Sequence, residues 1–118
     1  MNKMIAGLLF IALSSPLLGH ADEVVAFHIP AGTSSGPWNT IADPIVVHVG
    51  QILRLYNDDT ISHYLHTDGS PCIHGTGPFN PGTTYDCVII APHNAADEDL
   101  YDHDQGPDAQ VYIQANQN

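Results

Sequence analysis

The sequence predicts an all-β fold, a two-sheet sandwich, from three observations. Apolar, β-branched residues come in short runs, Gly, Pro, Asn and Asp punctuate those runs, and no segment carries a convincing amphipathic helix. With 118 residues, the chain has room for one small domain behind a targeting segment.

Lys3 precedes an apolar run at residues 5–13, and Ser14-Ser15-Pro16 and small residues around Ala21 follow it. That run is too short to span a bilayer and no second one follows. Residues 1–21 are therefore expected to be a cleaved signal peptide, and 22–118 a single periplasmic or secreted domain with no membrane insertion.

The first strand is expected at Val24-Val25-Ala26-Phe27-His28-Ile29, followed by a Gly/Pro/Ser-rich loop over 30–39 in which Trp38 packs on the core. Residues 44–49 and 51–56 read as two strands about Gly50, the second alternating polar and apolar residues. A short strand over 61–66 runs into the turn Thr67-Asp68-Gly69. Pro81-Gly82 opens a strand over 83–91, residues 95–100 are expected to make one helical turn, and 109–114 closes the domain.

Composition excludes several classes of function. Thirteen Asp and Glu face two Lys and Arg, for a formal net charge of −11, and since Lys3 lies in the expected signal peptide, Arg54 alone opposes the carboxylates of the mature domain. Such a surface repels nucleic acid and anionic lipid and concentrates cations. There is no Gly-x-Ser-x-Gly, no phosphate loop and no His-Glu-x-x-His, and the short loops leave little room for a substrate pocket, so no enzyme is expected. Cys72 and Cys87, an even pair in an oxidising compartment, are expected to form a disulfide, with a thiolate metal ligand as the alternative.

Seven of the eight histidines lie in the mature domain. Imidazoles among carboxylates, without competing ammonium groups, suit a divalent transition metal. His28, His48 and His93 occur singly in or beside strands and are expected to be solvated or structural. His63 and His103 lie in loops that a sandwich brings to one end.

The order of the segments carries a further signal. Val47-His48-Val49-Gly50 ends one strand, Leu55-Tyr56-Asn57 leads towards His63, Pro81-Gly82 precedes a core strand, and Tyr101-Asp102-His103 leads to Val111-Tyr112-Ile113. This succession resembles the cupredoxins, small Greek-key sandwiches that hold copper at one end. The resemblance implies a cupredoxin-like Greek-key β-sandwich whose copper site includes His63 and His103.

The chain also departs from that pattern. His103 stands where the family's ligand cysteine would be, and residues 104–108 supply neither the second histidine nor the methionine. Blue-copper electron transfer relies on that thiolate, so the resemblance here implies a Cu(II) site with nitrogen and oxygen ligands, which zinc would also fit. His66 lies three residues beyond His63, on the opposite face by strand alternation unless the strand has ended, and the following turn permits that end. His74 lies in a loop that the disulfide would tether. The expected metal ligands are His63 and His103, with His66 and His74 as additions, and Asp102 and Asp104 either orient His103 or form turns.

The expected function is copper binding, storage or delivery, with the metal ion and a periplasmic redox or copper-handling protein as partners. One alternative is a blue or green copper electron-transfer centre built on His63, Cys87 and His93. Another is a metal-free sandwich acting as an interaction module.

Overall fold

A computed structural model describes residues 23–117. The expected signal peptide, 1–21, lies outside the described residues. Among these, eight strands run in the order β1 (Val24–Ile29), β2 (Ile45–His48), β3 (Ile52–Asn57), β4 (Leu65–His66), β5 (Thr84–Val88), β6 (Tyr101–Asp102), β7 (Gly106–Gln110) and β8 (Ile113–Asn116). No helix among them is long and apolar enough to cross a membrane.

Alternation on β3 shows how sequence becomes packing. Leu53, Leu55 and Asn57 are buried, while Ile52, Arg54 and Tyr56 are half-buried on the other face. β3 is central to its sheet, with β1 parallel on one side and β5 antiparallel on the other. The register sets Arg54 directly opposite Asp86, and the guanidinium makes a two-point contact, Nε to Oδ1 at 2.8 Å and Nη2 to Oδ2 at 3.0 Å. Gly50, at φ +101°, supplies the left-handed turn that joins β2 to β3.

β2 pairs in parallel with β8, and β4, β6 and β7 form a third, antiparallel group. Parallel pairing of strands distant in sequence requires the chain to cross between layers, as the expected β-sandwich demands. Ile29, Leu53, Leu55 and Cys87 meet Val47, Leu65, Leu100, Val111 and Ile113 in one core. Trp38 reaches that core from the loop over 30–39 and lies edge-on to both His63 and Phe79.

The expected disulfide is present and joins Cys72, in the loop after β4, to Cys87 in β5 across 15 residues. In the chain-entropy account it stabilises the fold by about 3 kcal/mol. Two sequence expectations are corrected. Residues 95–100 contain a tight turn and no helix. The strand expected over 109–114 is divided between β7 and β8, because the side chain of Asn39 captures the backbone of Tyr112: Asn39 Oδ1 accepts from the Tyr112 N–H at 2.8 Å and Asn39 Nδ2 donates to the Tyr112 carbonyl at 2.9 Å.

Candidate metal centre

The chain leaves β3 at Asn57, whose buried amide organises the segment that follows. Asn57 Nδ2 donates to the carbonyls of Ile61 and Phe79, and Oδ1 accepts from the Asp59 N–H. This places His63 opposite Phe79 in an isolated antiparallel bridge. The His63 ring is fully buried, with Nδ1 2.5 Å from Asp102 Oδ2 and Nε2 2.9 Å from Asp59 Oδ2.

Both contacts need a hydrogen on nitrogen, so His63 is an imidazolium between two carboxylates. Burial alone would pull its pKa down, but the hydrogen bonds to Asp102 and Asp59 outweigh burial and raise it. Burial likewise opposes ionisation of Asp59. The bonds it accepts from His63 and from the backbone N–H groups of Ser34, Thr60 and Gly32 still hold it well below the usual carboxylate range. Asp102 accepts through its other oxygen from the N–H groups of Asp104 and Gln105, forming a turn rather than orienting His103. Both nitrogens of His63 are thus engaged by carboxylates in this arrangement.

The other three candidates are brought together. β4 and β6 pair antiparallel with Leu65 opposite Asp102 and His66 opposite Tyr101, and the His103 N–H extends the ladder to the Tyr64 carbonyl at 2.6 Å. Alternation sends Leu65 and Asp102 inward, which leaves Tyr64, His66, Tyr101 and His103 on the other face. Each histidine stacks on the tyrosine of the opposite strand, His66 on Tyr101 at 4.2 Å and His103 on Tyr64 at 4.4 Å between ring centroids.

His74 arrives from the loop tethered by Cys72. Thr67 Oγ1 donates to the Cys72 carbonyl, and the Gly75 N–H donates to the Leu65 carbonyl. A Cβ at residue 75 would lie 2.8 Å from that carbonyl oxygen, so glycine alone permits the approach. His74 Nε2 then lies 3.0 Å from His66 Nδ1 and 3.2 Å from His103 Nδ1.

Tautomers decide what these short contacts mean. His74 Nδ1 donates to the Gly75 carbonyl at 2.7 Å, leaving a bare lone pair on Nε2. His66 Nε2 lies 3.3 Å from the exposed Asp68 Oδ1, while His66 Nδ1 is within hydrogen-bond distance of His74 Nε2 and supplies the hydrogen of that contact in the metal-free protein. Moving that hydrogen to His66 Nε2, beside Asp68, would turn two lone pairs towards each other, an arrangement that a cation bound between them stabilises.

A transition-metal ion fits this arrangement. With metal–nitrogen bonds of about 2.0–2.1 Å and angles of about 90–110°, two ligating imidazole nitrogens stand about 2.8–3.4 Å apart, which spans both observed separations. The outer nitrogen of His74 already donates to a carbonyl and that of His66 lies 3.3 Å from a carboxylate, the kind of support that metal-bound histidine uses. The ligand atoms of His66, His74 and His103 all lie within 4.8 Å of one another, and His63 is not among them.

The ligand set of the electron-transfer alternative is not assembled. Cys87 is bonded to Cys72, and no group of ligand atoms found among the described residues joins it to His63 or His93. His28 is exposed against Asp58 and Tyr56, and His48 is half-buried in β2. The tyrosines stacked on His66 and His103 are neighbours of the candidate centre that family positions alone do not reveal. Their sequence signal is a repeated Tyr-x-His, at Tyr64-Leu65-His66 and Tyr101-Asp102-His103.

No family model matches the sequence, and no curated protein matches it either. Among solved structures, a purple cupredoxin from Nitrosopumilus maritimus is similar with a TM-score of 0.54 at 16% identity, covering 77% of this chain and 98% of that one. A copper-containing nitrite reductase from Thermus scotoductus is matched with a TM-score of 0.38 at 14% identity, over 76% of this chain and 28% of that one.

Proposed function

We propose that this chain, whose fold is cupredoxin-like, is an exported copper-binding protein that holds Cu(II) through His66, His74 and His103 for storage or delivery. The observation that carries this reading is the convergence of three imidazole nitrogens, with His66 Nδ1 and His103 Nδ1 at 3.0 and 3.2 Å from His74 Nε2, a spacing that suits one metal ion. With both cysteines paired, the donor set is nitrogen alone, as expected for an ordinary Cu(II) centre rather than a blue one. The disulfide and the N-terminal apolar run both support export to an oxidising compartment.

Affinity order favours copper over zinc on three imidazoles. The likeness to a purple cupredoxin supports copper as the family's metal, although that protein's ligands are not carried over to this chain. A binding role, rather than catalysis, is our reading of a site formed on the outer face of a strand pair instead of inside a pocket. A copper-handling protein of the same compartment is the partner that this role implies.

Titration with Cu(II), followed by visible absorption and electron paramagnetic resonance, tests the proposal. The first equivalent should bind with a weak visible band and nitrogen hyperfine structure, and His74→Ala should weaken its binding more than ~100-fold, beyond what loss of a supporting residue costs. An intense thiolate band would overturn the nitrogen-only site. Absence of stoichiometric binding would favour the metal-free interaction module.

A further inference from the structure

We infer that His93, Asp97 and Asp99 form a second divalent-cation site, of the zinc class, at the edge of β8. The inference does not rest on the three-histidine centre, since it uses none of the same residues.

His93 is fixed by its backbone. It forms an isolated antiparallel bridge with Ala115, its N–H donating to the Ala115 carbonyl and its carbonyl accepting from the Ala115 N–H, both at 2.9 Å. Its side chain is 2% exposed, and Nδ1 lies 2.9 Å from the Ile113 carbonyl, an acceptor only. Nδ1 therefore carries the hydrogen, and the neutral ring presents a lone pair at Nε2. That lone pair points at another acceptor, Asp99 Oδ1, at 2.8 Å. A positive charge must lie between them, either a second proton or a metal ion.

Asp97 distinguishes the two. Its carboxylate joins the group, with the ligand atoms of His93, Asp97 and Asp99 all within 4.8 Å of one another. A second proton on His93 would offset one of the two carboxylate charges, whereas a divalent ion offsets both. Among the described residues the one arginine, Arg54, is engaged by Asp86, so no ammonium or guanidinium serves here.

The three donors sit on a braced scaffold. The Asp97 N–H donates to the Asn94 carbonyl, the Ala96 N–H to Asn94 Oδ1, and the Ala95 N–H to Gln114 Oε1 on β8. Leu100, next to Asp99, is buried, and its carbonyl accepts from the Val111 N–H. An open cleft of ≈ 360 Å³, lined in part by His93, Asn94, Asp97 and Gln114, borders the group and gives a cation entry and room for water ligands. One imidazole and two carboxylates are a borderline donor set that zinc accepts readily.

Equilibrium dialysis of the full chain against Zn(II), with Co(II) absorption as a second readout, decides the matter. Wild type should bind two equivalents. Asp97→Asn with Asp99→Asn should bind one and lose at least ~100-fold in affinity at the other, while His74→Ala should retain the equivalent that depends on Asp97 and Asp99. The single Asp97→Asn change is on an exposed side chain and keeps the test valid should the double variant misfold; it should weaken this site about tenfold. Unchanged zinc stoichiometry and affinity in the Asp97 and Asp99 variants would overturn the second site and leave an imidazolium ion pair. Wild type that binds a single equivalent, lost in the Asp97 and Asp99 variants and unaffected by His74→Ala, would support this site and count against the three-histidine centre.

Discussion

The two carboxylates that engage the nitrogens of His63 make this residue an electrostatic staple, and the staple has a pH signature. The pKa of His63 is raised from 6.5, so its contribution to stability is fully present below 6.5 and is lost as pH rises through the folded value. The pKa of Asp59 is lowered from 3.8, so its contribution is present above 3.8 and is lost as pH falls through the folded value. Thermal stability of the metal-free protein should therefore be greatest between 3.8 and 6.5 and decline on both sides. Replacing His63 with leucine would leave Asp59 and Asp102 buried without a counter-charge, at a cost of about 3–5 kcal/mol, and would abolish the loss of stability above 6.5. Melting temperatures across pH for wild type and His63→Leu test both statements. An alkaline decline that survives in His63→Leu would place its origin elsewhere.

The paired Tyr-x-His segments of β4 and β6 show what was legible at the level of elements. β1, β2, β3 and β5 lie close to where alternation and turn residues placed them, because each buries an apolar face that the sequence displays. β4 and β6 have two residues each, too few for a periodic signal, and they exist by virtue of pairing with each other. The resemblance pairs His63 with His103, but the register sets Asp102 opposite Leu65 with its side chain inward against His63, and turns His103 to the opposite face. Alternation did place His66 opposite to His63, which is why the site forms one layer further out. The stacked tyrosines hold the rings of His66 and His103 in place, and each aromatic pair should contribute about 0.5–1.5 kcal/mol. Tyr64→Leu or Tyr101→Leu should thus raise the copper Kd about three- to tenfold and broaden the paramagnetic resonance lines, whereas the phenylalanine variants should restore both. Equal losses in the leucine and phenylalanine variants would assign the effect to the hydroxyl instead of the stack.

Across the whole molecule, thirteen Asp and Glu against two Lys and Arg make charge the property most plainly legible in the sequence, though not its use. Several of these carboxylates have structural tasks: Asp59 and Asp102 neutralise His63, and Asp86 pairs with Arg54. Others, Asp68 and Asp104 among them, remain exposed around the three-histidine centre. A field of this sign draws cations towards the surface and is screened by salt, the Debye length falling from about 30 Å at 0.01 M to about 8 Å at 0.15 M. The association rate of Cu(II) should therefore drop about tenfold over that range, while dissociation, governed by the imidazole bonds, should change little. Stopped-flow quenching of Trp38 fluorescence at graded ionic strength would measure both rates. A salt-independent association rate would mean that the acidic surface serves solubility alone, and that the centre captures copper only through the three histidines themselves.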